Sequence, residues 1–253
     1  MERPKHYSSE KQLPVIIRLV ADANGVELSE STIERMEIIA SACGIADDQV
    51  DRCENANKRK EIVGNALDYL FEEGELRDMG SDTYDAYRES MNNLKVVVDG
   101  MSEKRKQLFR LKLGLWARLS EERRAEEEIR PAIKERLVDL NVTGGVYLAA
   151  TSDEERHNPN YRNLHKDFRR MVRVAGMIDD AMDLQDDYEN GITQIEPSFA
   201  NIARHVAVAV RHLSPMISYT LRPKLVSSSV DIMSREYRRR TTRNNYEQYN
   251  LDE

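Results

Sequence analysis

At 253 residues and 29.2 kDa the chain is long enough to bury a sizeable core as one large domain. A net charge of −7, with 33% charged residues, excludes the basic surface a nucleic-acid binder needs, and no apolar run reaches the roughly 18 residues of a membrane span. The N-terminus carries no apolar signal-peptide core, and Cys43 and Cys53 form no CxxC, so a soluble, cytoplasmic protein with ordinary reduced thiols is expected.

Residues 1–9 are polar and expected to be loose. Leu13, Val15, Ile16, Leu19 and Val20 then predict a helix over 11–23, closed by Asn24-Gly25. Ser31-x-x-Glu34 reads as a capping box opening a helix to Gly44, with a short helix over 47–53 after it. Ile62, Val63, Ala66, Leu67, Leu70 and Phe71 mark the next helix, 58–76, which carries Asp68 and Glu72 at i,i+4. Those two carboxylates are either a ligand pair or a solvated helix end near Gly74.

Helices follow over 81–100 and 102–124. Tyr84 and Tyr87 lie on the first, as core residues or as the lining of an apolar cavity. The densely charged run 121–130 reads as an exposed helix surface. Pro131 opens a helix to Leu140, and Asn141-Val142-Thr143-Gly144-Gly145 is expected to break it, freeing backbone groups and letting a ligand approach. Residues 151–162 read as a polar loop. Glu154-x-x-His157 within it has the spacing of a di-iron pair but no second copy.

The most informative stretch is RRMVRVAGMIDDAMDLQDDYENG, residues 169–191. Asp179, Asp183 and Asp187 fall at i, i+4 and i+8, a row stepping about 6 Å along one helix face. Each like-charged pair opposes the helix by about 0.2–0.5 kcal/mol. Asp180 and Asp186 add to the field, while Val172, Val174, Met177, Ile178, Met182 and Leu184 ask for burial. A hard divalent cation resolves the conflict: Mg²⁺ takes one or two carboxylates and the phosphate oxygens of a ligand. A solvated acidic face is the alternative. Gly176 costs about 1 kcal/mol inside a helix and is expected to clear space beside the row for something bulky.

Asp179-Asp180-Ala181-Met182-Asp183-Leu184-Gln185-Asp186-Asp187 resembles the second metal motif of the class I isoprenoid synthases, read as DDxxD or as (N/D)Dxx(S/T/D)xxx(E/D), and Gly191-Ile192-Thr193 is similar to the G-x-T that follows it in some members. The resemblance implies a single-domain all-α bundle of about ten helices around an apolar pocket. It implies Mg²⁺ on Asp179, Asp180, Asp183 and Asp187, with Asp68 and Glu72 as a departed first motif facing them. Arg136, three residues before Asp139, matches the diphosphate-sensing arginine of terpene cyclases ahead of their broken helix. Arg173, Gly176, Thr143, Gly144 and Tyr84 would then contact substrate, and Arg243 with Tyr246 loosely matches a late closing pair. Arg136 and the basic tail also admit plain surface readings.

No repeat or linker divides the chain, so one domain spans 1–253, with 241–253 loose. The resemblance implies ionisation of an isoprenyl diphosphate by a terpene cyclase-like enzyme. Elongases and squalene or phytoene synthases are the alternatives within the superfamily, but the Arg-Arg after the first motif and the Lys before Thr143 are missing here. A non-catalytic helical protein that kept the fold is the rival outside it. The oligomeric state is open, a homodimer included.

Overall fold

Leu13, Ile17 and Val20 sit one helical turn apart and are all buried, which gives the first helix its inward face. The structure, a computed structural model, describes residues 7–219 apart from 52, 54, 73, 79–83, 125 and 126. Helix α1 spans Tyr7–Ala23, beginning inside the stretch expected to be loose, and ends at Gly25, whose φ of +65° suits glycine.

Helix α2, Glu30–Asp51, runs through Gly44 where two helices were expected. Its inward face of Met36, Ile39, Ala42 and Cys43 carries on to Gln49, so tertiary burial overrides the weak local stop. Its cap is Ser29 rather than Ser31: the Ser29 hydroxyl accepts from the Thr32 amide at 3.3 Å. Then come α3 (Ala56–Phe71), α4 (Tyr84–Asp99), α5 (Glu103–Arg124) and α6 (Ile129–Tyr147), with a 3-10 turn at Leu148–Ala150. The short α7 (Asp153–Arg156) leads into the 29-residue α8 (Tyr161–Glu189), and α9 spans Phe199–Tyr219. Nine α-helices and no strand are found among the described residues, so the fold is all-α.

Packing organises around two helices. Helix α6 lies between α5 and α8, and α8 also carries α9 and α1; on the other side α2, α3, α4 and α5 pack on one another. The main core joins α1 to α6 and the first half of α8, through fully buried Ile17, Met36, Ile39, Phe109, Leu164 and Phe168. A smaller cluster of Ile133, Leu140, Val174, Met177 and Ala209 locks α6, α8 and α9 together. No helix among the described residues is long and apolar enough to cross a membrane.

Candidate functional site

Two of the sequence-predicted elements meet, and the meeting point is Arg136. Its guanidinium on α6 reaches across 44 residues to Asp180 on α8, donating from Nε at 3.0 Å and from Nη2 at 2.9 Å. Nη1 donates to Asp139 at 2.6 Å. The Asp139 side chain has no exposed surface, and those of Arg136 and Asp180 keep only 18% and 14%. Burial disfavours the arginine's charge, but the Asp180 and Asp139 carboxylates more than offset this and hold its pKa above the ordinary value.

The acidic row continues from this cluster along α8. Arg169, Arg173, Gly176, Asp180, Asp183 and Asp187 share one stripe by helical spacing, so its first half is basic and its second acidic. Asp179 is exposed, and Asp183 and Asp187 are half-buried. Among the described residues no three His, Cys, Asp or Glu side chains converge as a metal-ligand group. Carboxylates spaced about 6 Å apart suit Mg²⁺ through one or two at a time, with phosphate and water completing the shell.

Several expectations are corrected. Helix α6 does not break at Asn141-Val142-Thr143-Gly144-Gly145 but continues to Tyr147. The glycines serve close packing instead. A Cβ on Gly144 would lie 3.0 Å from Cγ and 3.3 Å from Cα of Arg169, and one on Gly145 would lie 3.2 Å from Nζ of Lys112. Gly176 leaves no space for a ligand, because a Cβ there would come within 2.3 Å of Leu140 Cδ2. Thr143 turns its hydroxyl onto its own helix, donating to Asp139 O at 3.0 Å.

Asp68 and Glu72 do not face the row. Helix α3 packs on α2, α4 and α5, while α8 packs on α1, α6 and α9. Asp68 is exposed, and Glu72 pairs with Arg110 of α5 at 2.5 Å. Tyr84 spends its hydroxyl on Leu76 O at 2.9 Å, and Tyr87, one turn on, is the buried tyrosine. Glu121, expected on an exposed surface, is bound to Arg59. Arg243 and Tyr246 lie outside the described residues.

No family model, curated protein or solved structure matches this chain. The site therefore rests on its own chemistry, and one part of it had no local sequence signal. At the C-terminal end of α6, Lys112 Nζ donates to Gly145 O and Arg169 Nε to Asn141 O, each at 2.9 Å. Arg156 donates to Leu148 O at 3.1 Å, and Arg105 to Ala149 O at 2.7 Å and Thr151 O at 2.6 Å. Cations drawn from α5 and α7 thus cap carbonyls of the last turn of α6 and of the 3-10 turn after it, while Arg169 of α8 reaches a carbonyl one turn further back. Burial, then Arg156 and Arg169, push Lys112 down to about 8. Burial, then Arg169, Lys112 and Arg156, push His165 down to about 4. Arg173, next along the stripe, is lowered by burial and by its arginine neighbours.

Another opening lies away from this seam. A cavity of about 630 Å³ sits between α2, α3, α4 and α5, lined by residues such as Cys43, Leu67, Leu94 and Trp116, and none of the acidic row borders it. Tyr147 is the link between the regions: its phenol is held above its ordinary pKa by burial, and it feels Cys43 and Asp47 of the cavity wall as well as Arg136 and Asp139.

Proposed function

We propose that this chain is a cytoplasmic, Mg²⁺-dependent enzyme of the class I isoprenoid synthase kind, which binds the diphosphate of an allylic isoprenyl substrate at the α6–α8 seam and ionises it. The observation that carries the reading is the contact of Arg136 with both Asp139 and Asp180: a candidate phosphate-binding arginine and a candidate metal-binding carboxylate, 44 residues apart, meet in one cluster. Asp180, Asp183 and Asp187 would hold the metal, which would neutralise phosphate charge and polarise the leaving diphosphate.

The chain's own residues do the rest. Asp139 orients the guanidinium through Nη1, so Arg136 can exchange Asp180 for phosphate oxygens and keep its buried countercharge. Arg173, two turns before Asp180 on the same stripe, adds a second cation for an anionic head. A second reading is a non-catalytic helical protein, favoured by the double pairing of Arg136 and by Glu72 standing on Arg110 instead of facing the row.

The test is titration with Mg²⁺ and pyrophosphate, followed by incubation with geranyl, farnesyl or geranylgeranyl diphosphate, each with and without isopentenyl diphosphate. Mg²⁺-dependent pyrophosphate binding, lost in Asp183→Asn, and a hydrocarbon or alcohol product from a single substrate are expected. Longer diphosphates formed only with isopentenyl diphosphate would mean elongation. Absence of both binding and turnover would leave the non-catalytic reading.

A further inference from the structure

The cavity between α2, α3, α4 and α5 shares no lining residue with the Arg136 cluster or the acidic row. Two of the residues that open it are helix-interior glycines, Gly64 in α3 and Gly114 in α5. A Cβ on Gly64 would meet nothing within 4 Å, and one on Gly114 would meet only Leu67 Cδ1, at 4.0 Å. Each glycine weakens its helix relative to alanine, and no neighbour demands either. The consequence of both is open volume.

A separate observation lies in the wall. Tyr87 is 4% exposed, and its hydroxyl is buried with no hydrogen-bond partner among the described residues. A buried hydroxyl left unpaired is a standing penalty that an acceptor brought by a ligand would remove. At about 630 Å³ the cavity falls in the range of small-molecule sites, roughly 300–1,000 Å³, and its wall is mostly apolar. The charges around it are balanced: Arg59, Lys60 and Arg118 against Asp47, Glu121 and Glu122. Arg59 is already committed, with Nε on Glu121 at 2.8 Å and Nη1 on Cys53 O at 2.7 Å, and Arg118 pairs with Glu122 at 3.5 Å. An anionic head group therefore has no unshared arginine there, and a neutral ligand fits better.

We propose that this cavity is a binding site for a neutral, largely apolar small molecule bearing one hydrogen-bond acceptor, a ketone or alcohol oxygen, which the Tyr87 hydroxyl engages in the space left by Gly64 and Gly114. Trp116 is the one tryptophan of the chain and lines the cavity, so it reports occupancy directly.

The full chain is titrated, without Mg²⁺ or diphosphate, with the neutral fluorescent ketone 6-propionyl-2-(dimethylamino)naphthalene, following quenching of Trp116 and the blue shift of the probe. Saturable one-to-one binding that quenches Trp116 is expected. Tyr87→Phe should weaken it about three- to tenfold and shift the bound probe's emission further to the blue, as the hydrogen bond to its carbonyl is lost. Gly64→Leu with Gly114→Leu should weaken it at least tenfold in a chain that melts no lower than wild type. The milder single changes Gly64→Val and Gly114→Val, each expected to weaken binding at least threefold, keep the test open should the leucine pair fail to fold. Absence of saturable Trp116 quenching, or affinity unchanged in folded valine or leucine variants, overturns the proposal. Because neither metal nor diphosphate is present, failure here leaves the seam reading untouched, and the reverse also holds.

Discussion

The α6–α8 seam and the α2–α5 cavity both use glycines inside helices, to opposite ends. At the seam a Cβ on Gly176 would strike Leu140 and one on Gly144 would strike Arg169, so the missing side chains let two helices touch. At the cavity the missing side chains of Gly64 and Gly114 are filled by no neighbour. The same residue type therefore marks maximal packing in one half of the molecule and deliberate under-packing in the other. Sequence alone does not separate the two uses, because the distinction lies in what the facing helix brings.

The largest expected effect is at the seam's charge cluster. Arg136→Ala leaves Asp139, with no exposed surface, and Asp180 without their shared cation. Loss of one partner from such a group costs about 3 kcal/mol or more, to be read by urea unfolding. A loss below about 1 kcal/mol would mean that the seam is not held by charge, and the contrast with the cavity would narrow.

The glycines test the comparison directly. Gly176→Ala gains helix propensity but drives a methyl into Leu140, and overpacking of about 1–3 kcal/mol should win. Gly64→Ala and Gly114→Ala meet no such obstacle and should each stabilise by about 0.5–1 kcal/mol. Three shifts of the same sign in denaturant midpoint would abolish the distinction.

The smallest expected effect is a pH slope. His165 is held down to about 4 by burial and by Arg169, Lys112 and Arg156, below its ordinary 6.5. Between those values the unfolded chain binds the proton more readily. Stability attached to the neutral imidazole is thus complete above about pH 6.5 and lost as pH falls toward 4. His165→Gln should flatten that part of the melting-temperature profile, and an unchanged slope would remove His165 from the cation group at the end of α6.

Helical periodicity made the all-α fold legible, since Leu13, Val20 and Ile39 face inward as their spacing predicts, although Val15 is exposed and Ile17 takes the inward place in α1. The contact of Arg136 with Asp180 was not legible: the family resemblance singled out both residues, one for diphosphate and one for metal, and did not pair them. The apparent break at Gly144-Gly145 was misleading because local propensity favours a turn there, whereas Lys112 and Arg169 press α6 from both sides. Glu72 read as a ligand because its partner, Arg110, is 38 residues away with no periodic relation to it. The cavity had no signature at all, being a mismatch between facing surfaces rather than a property of any one segment.

One buried carboxylate ties the two ends of the chain's history together. Glu155, at 9% exposure, caps α7 by pairing with Ser152 and also accepts from the Ser29 amide at 2.8 Å and the Thr32 hydroxyl at 2.9 Å. The Ser29 contact spans 126 residues. On a ribosome adding roughly 5–20 residues per second, the turn between α1 and α2 waits about 6–25 seconds for its partner. During that interval α1, whose Ile17 and Val20 are buried in the folded chain, lacks α8, one of the two helices it packs on. Nascent chains stalled before residue 155 should therefore be more open to protease than those stalled well past α8.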